Sequence, residues 1–311
     1  MRAQGLARHG RVVGIDTQGC DQDRRTKGEA THMTNRSVEL PQGEIRYRES
    51  GPNSGTPIVF VHGLLVDGSI WSNVADRISA EGLRSIVPTW PLGAHVEPMR
   101  SSADWTLAGL GEMVLSFLDA MKLDDAVLVG SDTGGAIVQA VAAASPERVR
   151  ALTLTNCDAF DTFPPFPFNL QLHAFRHEPL GRLLMLPMRS ATLRNSRLGF
   201  GSLTSRRLSP FESAAWIAPY RNSGAVRRDL AAYARSWDAA SLKPISLQMR
   251  SVLAPTSLCW GTDDKLFPVS LGRRLADTFP NGSLRLVHGA GALVSLDAPG
   301  AVADSITACA S

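Results

Sequence analysis

No apolar run in this sequence approaches the ~18 residues that a bilayer-spanning helix needs, which excludes a helical membrane span. Excess charge is missing too: 32 basic residues face 29 acidic ones, for a formal net charge of +3. Nucleic-acid and membrane-surface binding ordinarily rest on clustered basic residues, so this balance predicts neither partner. Cysteine is sparse. Cys20, Cys157, Cys259 and Cys309 are scattered with no CxxC or Cys/His ligand spacing, which argues against a disulfide framework and against a metal site. Isolated thiols fit a reducing cytoplasm. No Gly-x-Gly-x-x-Gly with an acidic partner downstream is present, so no dinucleotide is expected, nor any other cofactor. There is no internal repeat.

Residues 1–36 lack a hydrophobic period and are rich in Gly, Arg, Asp, Gln and Thr. Without an apolar h-region they do not read as a secretory signal. They are expected to be a disordered tail, with Met33 as an alternative start, outside the folded unit.

What is present is an α/β alternation. Hydrophobic residues make up 44% of the 311, enough for one large core carrying an insertion. Short β-branched and leucine runs occur at 57–61, 84–88, 126–129, 149–155, 256–260 and 283–287. They are continuous, not alternating, as expected of strands covered on both faces. Helical stretches at 108–121, 136–144, 270–278 and 301–308 separate them. That order predicts a mainly parallel sheet with helices on both faces. Residues 157–252 contain no strand signal and begin with an FPPFPF segment, which predicts a helical cap inserted after the sixth core strand. The core is then 37–156 with 253–311, and the cap covers the carboxyl ends of the strands, where open α/β sheets bind ligands.

The segment Gly130-Ser131-Asp132-Thr133-Gly134 joins a strand to a helix. Small residues around Asp132 permit a strained turn that pushes its side chain outward, and the helix start offers N–H groups to developing negative charge. Two rival readings are that Asp132 caps the helix through Gly134 and that Ser131 is the nucleophile.

This Gly-x-Asp-x-Gly-Gly elbow, together with His62-Gly63 after an earlier strand, resembles the α/β-hydrolase superfamily. It is most similar to the aspartate-nucleophile branch of haloalkane dehalogenases and epoxide hydrolases. The resemblance implies that Asp132 attacks carbon to form an ester, with the N–H groups of Thr133 and Leu64 as the oxyanion hole. It implies an acid at Asp264, with Asp263 as the adjacent rival and Asp158 in an alternative acid slot. His62 and Trp71 would edge a substrate pocket roofed by Phe163 and Phe166, all selecting a small apolar molecule. Thr133 and Leu64 stand where dehalogenases usually carry halide-binding tryptophan and asparagine.

One departure governs the chemistry. The family's catalytic histidine lies after the last strand, and here that segment reads Gly289-Ala-Gly-Ala292, so the histidine position holds Ala292. Loss of a positioned general base typically costs ~10²–10⁴-fold in rate. Three readings follow. His95 or His288 substitutes as the base; the pocket performs lyase or isomerase chemistry that needs no triad; or catalysis is lost and the pocket binds a ligand.

Overall fold

The computed structural model describes residues 12–13, 34–165 and 168–310. Thr34–Leu40 (β1) and Gly43–Ser50 (β2) form an antiparallel hairpin. β1 opens at Thr34, inside the span expected to be tail, because the side chains of Val38 and Leu40 reach the core and fix the pairing. Val12–Val13 adds a short antiparallel ladder onto Ser37 and Val38. The rest of the expected tail before Thr34 lies outside the described residues.

Six strands continue the sheet: Pro57–Val61 (β3), Arg84–Pro88 (β4), Ala126–Asp132 (β5), Val149–Cys157 (β6), Thr256–Gly261 (β7) and Gly282–Val287 (β8). Their spatial order is β1-β2-β4-β3-β5-β6-β7-β8. From β4 through β8 all neighbours are parallel; β2 meets β4 antiparallel. The fold expectation is met, with one local difference. β8 is an edge strand, so its residues stay exposed or half-buried instead of being covered on both faces.

Right-handed crossovers place the connecting helices. Ser72–Ala80 (α1) joins β3 to β4 in one direction along the sheet, and Leu107–Ala120 (α2) joins β4 to β5 in the other, so the two lie on opposite faces. Thr133–Ala144 (α3) packs beside α2. Its sequence TGGAIVQAVAAA is nearly all small and almost wholly buried, which lets it lie close against β5 and β6.

Between β6 and β7 the chain is helical, as the missing strand signal predicts. Its helices are Phe168–Phe175 (α4), Glu178–Leu184 (α5), Ala191–Arg194 (α6), Pro210–Asn222 (α7), Gly224–Ser236 (α8) and Leu242–Gln248 (α9). A capping box between Ser209 and Glu212 starts α7, and the Ser223 hydroxyl accepts from Val226 N–H to start α8. The insertion is tied to the core by Trp216 Nε1, which donates to Ser69 Oγ at 2.9 Å, and by Ser246 Oγ, which donates to Gln139 Oε1 at 2.8 Å. Val269–Thr278 (α10), Val294–Asp297 (α11) and Pro299–Ala310 (α12) complete the core, with α12 against α1. No helix among the described residues is long and apolar enough to cross a membrane.

Candidate active site

The strand order reverses between β4, β3 and β5, and the loops leaving β3 and β5 meet at that switch point. Asp132 ends β5 with φ 54° and ψ −131°, an arrangement that costs on the order of 1–3 kcal/mol unless its surroundings enforce it. The neighbours do enforce it. A Cβ on Gly63 would stand 2.0 Å from Asp132 Oδ2, and one on Gly134 would stand 2.2 Å from the Val61 carbonyl oxygen. The small residues around the elbow are therefore a steric requirement.

The Asp132 side chain makes no capping hydrogen bond to α3, which removes the helix-cap reading. Instead Leu64 N–H donates to Asp132 Oδ2 at 3.0 Å, and the Thr133 N–H also favours its charged form. Ser131 is only 1% exposed and its hydroxyl is unpartnered, so it faces the interior and not a pocket.

Burial pushes the Asp132 carboxyl up to about 6, the two backbone N–H groups hold it back, and Asp264 nearby adds a smaller upward push. Asp264 follows β7 and is itself raised to about 6 by burial. Asn156 Nδ2 donates to its Oδ2 at 2.7 Å, and Leu266 N–H donates to its Oδ1 at 2.8 Å. Asn156, at the end of β6, also accepts from Gly261 N–H at 2.6 Å and so bridges two strand ends. The rival Asp263 is exposed and takes the hydroxyl of Thr262.

A second carboxyl stands beside the elbow. Asp158 is fully buried, and neither of its oxygens has a hydrogen-bond partner of ordinary geometry, although the Thr133 side chain is near enough to favour its charged form slightly. Burial first, and the neighbouring Asp132 second, hold it well above the usual carboxylate range. Asp132 has backbone donors and Asp158 has none, so when the pair carries a single proton it resides on Asp158. Gln139 Nε2 donates to the Asp158 carbonyl at 2.9 Å, which links this corner to Ser246 of α9.

Tyr233 of α8 reaches the same cluster. Its phenol is pushed up by burial, then by Asp158 and Asp132, while the nearby Thr133 side chain acts the other way. The resemblance to epoxide hydrolases leads one to expect a cap tyrosine over the elbow, and Tyr220 and Tyr233 are the two in the insertion, but nothing in the sequence places either there; Asp158 was signalled only by its position after β6.

The structure brings together Asp132, Leu64, Thr133 and Asp264. The other expected site residues lie elsewhere or face inward. His62 is fully buried: Trp90 N–H donates to its Nε2 at 2.8 Å, and its Nδ1 bonds the Gly63 carbonyl at 2.8 Å. Burial lowers it to about 4, so this neutral ring braces the loop that carries Gly63 and Leu64. Trp71 is likewise inaccessible and packs on Phe60 with centroids 5.1 Å apart. His95 is bound to Asp229 of α8 at 3.3 Å, and Gly93 N–H donates to its other nitrogen at 3.4 Å, so neither nitrogen is left for Asp132. His288 follows the edge strand β8 and is exposed. Phe163 is buried against Trp237; Phe166 lies outside the described residues. Ala292 is buried at 4% exposure. Its loop is fastened to the insertion: Leu293 N–H donates to the Leu203 carbonyl at 2.7 Å, while Asp297 accepts from the Gly291, Ser205 and Arg206 N–H groups and from the Thr204 hydroxyl.

Residues 56–299 match the family model described as alpha/beta hydrolase fold. The cis-3-alkyl-4-alkyloxetan-2-one decarboxylase of Shewanella oneidensis is 27% identical over 237 residues, covering 72% of this chain and 71% of that protein. Haloalkane dehalogenase 2 of Mycobacterium tuberculosis is 26% identical over 279 residues, covering 87% of this chain and 93% of that one. The crystal structure of haloalkane dehalogenase DbeA from Bradyrhizobium elkani superposes with a TM-score of 0.74 at 19% identity, over 90% of this chain and 98% of that one.

Proposed function

The chain belongs to the alpha/beta hydrolase fold family, and from that premise we propose that it is a carboxylate-nucleophile enzyme opening a small, alkyl-bearing, strained oxygen ring. The observation that carries this reading is the pairing of Asp132, whose Oδ2 accepts from Leu64 N–H, with a buried Asp158 that has no donor of its own.

Asp132 Oδ1 attacks a ring carbon and the ring C–O bond breaks. The departing oxygen takes the proton from Asp158. Oδ2, now the ester carbonyl oxygen, remains on Leu64 N–H with the Thr133 N–H nearby, where charge develops in the next step. With Asp132 neutralised in the ester, ionised Asp158 no longer faces a like charge and serves as base. It takes a proton from water, and the hydroxide adds to the ester carbon. Collapse of that adduct breaks the Cγ–Oδ1 bond; Oδ1 leaves on the product as an alkoxide and takes the acid proton of the new Asp132 carboxyl, in which the water oxygen replaces it. Asp158 keeps the proton from water, and the sum is ring plus water to diol. A halide leaves less readily, because the Leu64 and Thr133 side chains offer no N–H to hold it.

A second reading rests on Ala292 and on the decarboxylase relative. An oxetan-2-one opened by loss of carbon dioxide gives an alkene and needs no base to activate water. A silent binding protein is the remaining alternative.

Intact-protein mass after exposure to alkyl epoxides, oxetan-2-ones and haloalkanes tests these readings, with Asp132→Asn in parallel. Diol formation, or an epoxide adduct mapped to Asp132, supports ring opening. Alkene with carbon dioxide, and no diol, moves the assignment to decarboxylation. Ligand binding unchanged by Asp132→Asn, with neither adduct nor turnover, would leave the silent binder.

A further inference from the structure

The even charge balance of the whole chain conceals a local excess. From Pro179 to Phe211 there are six arginines (Arg182, Arg189, Arg194, Arg197, Arg206 and Arg207) and no lysine, aspartate or glutamate. Two of them serve the fold: Arg194 is buried and donates to Ser213 and to backbone carbonyls, and Arg206 pairs with Glu212. Among the described residues, Arg182 and Arg189 have no ion-pair partner, and neither does Arg221 of α7. These three line one open cleft of about 210 Å³ beside Leu186, together with Arg227, which Glu178 neutralises at 2.8 Å.

The same surface is apolar where it should be polar. α5 packs inward through Gly181, where a Cβ would meet the Tyr220 hydroxyl at 2.6 Å and Phe175 at 2.9 Å. The helix nevertheless leaves Leu180, Leu183 and Leu184 exposed, and Leu183, the one turned furthest from Gly181, is 61% exposed. Leu186 follows at 49% exposed, at the rim of the arginine cleft. A surface helix of a water-facing domain normally puts charge there.

We propose that this face of the insertion docks on an anionic phospholipid surface, with the leucines entering the headgroup–acyl boundary and the arginine cleft receiving lipid phosphates. Charge complementarity selects this occupant: three unpaired guanidiniums suit phosphate oxygens. Exposed leucines beside Arg182 on α5, with Leu186 and Arg189 just after it, suit the interfacial zone, where an arginine stem lies along apolar surface and its head stays wet. The inference does not depend on which ring the elbow opens.

The test is co-sedimentation of the full-length protein with vesicles of phosphatidylcholine alone or mixed with phosphatidylglycerol, at low and high salt. The expected result is pelleting with the mixed vesicles only, weakened by salt. Arg182→Glu/Arg189→Glu/Arg221→Glu should lower the partition constant about a hundredfold or more. Leu183→Ser, which changes no charge, should weaken binding while leaving its salt dependence in place. Each variant is first required to match the wild-type unfolding midpoint, and Arg182→Gln/Arg221→Gln replaces the triple change if it does not. No pelleting at low salt, or pelleting indifferent to phosphatidylglycerol and to the arginine changes, overturns the proposal. So does a concentration-dependent dimer abolished by the same substitutions, which would assign the face to a second copy.

Discussion

Asp132 combines a backbone angle of φ 54° with a carboxyl raised to about 6 by burial. Protonation removes the proposed nucleophile, so kcat/KM should fall as pH drops through about 6. A pH–rate profile on the accepted substrate checks this; a rate flat from pH 8 to about 5 would count against Asp132 as nucleophile. Asp132→Asn should abolish turnover. Ala292→His would introduce an imidazole at the position that the resembled family reserves for its base. If ester breakdown limits the wild type, that change should speed product release by about 10²–10⁴-fold in single-turnover measurements. If Asp158 already serves as base, the gain will be small.

At the scale of elements, Asp297 gathers four donors from the last loop and from residues 204–206 of the insertion. Asp297→Asn keeps the shape but weakens the charge-assisted bonds, and should cost about 1–3 kcal/mol with faster amide exchange at Ser205 and Arg206. Unchanged exchange there would mean that the apolar contacts alone hold the insertion down. The elements themselves were largely readable. The six parallel strands announced themselves as apolar runs bounded by turns, and the elbow as glycines flanking an acid. What escaped the sequence is contact at long separation. Tyr233 lies 101 positions from Asp132, and no periodicity says which face of α8 meets the elbow. His62, His95 and Trp71 were legible as residues near the strand ends, but burial and internal hydrogen bonding, which turn them away from a ligand, are properties of the packed state.

For the molecule as a whole, the buried carboxyls set the pH dependence of stability. Asp132 and Asp264 rise from 3.8 to about 6 on folding. Between those values the folded state holds more protons than the unfolded one, so stability should decline as pH rises from about 4 to about 6. The contribution is about 1–2 kcal/mol per group after allowing for their partial accessibility. Thermal unfolding followed across that window checks the sign, and Asp132→Asn should flatten the slope and raise the midpoint at pH 8. A midpoint that climbs between pH 4 and 6 in the wild type and the variant alike would show that other groups dominate.

Asn156 bridges the ends of β6 and β7, and an acidic residue stands beyond each end, Asp158 on one side and Asp264 on the other. On the proposed reading of Asp132 as nucleophile, a second acid within its reach amounts to a spare part. A lineage holding both can mutate either one and still keep a carboxyl beside the elbow. The two placements of the acid are then joined by single-residue steps that never pass through a protein stripped of both, and descendants of such a chain are free to settle on different reactions.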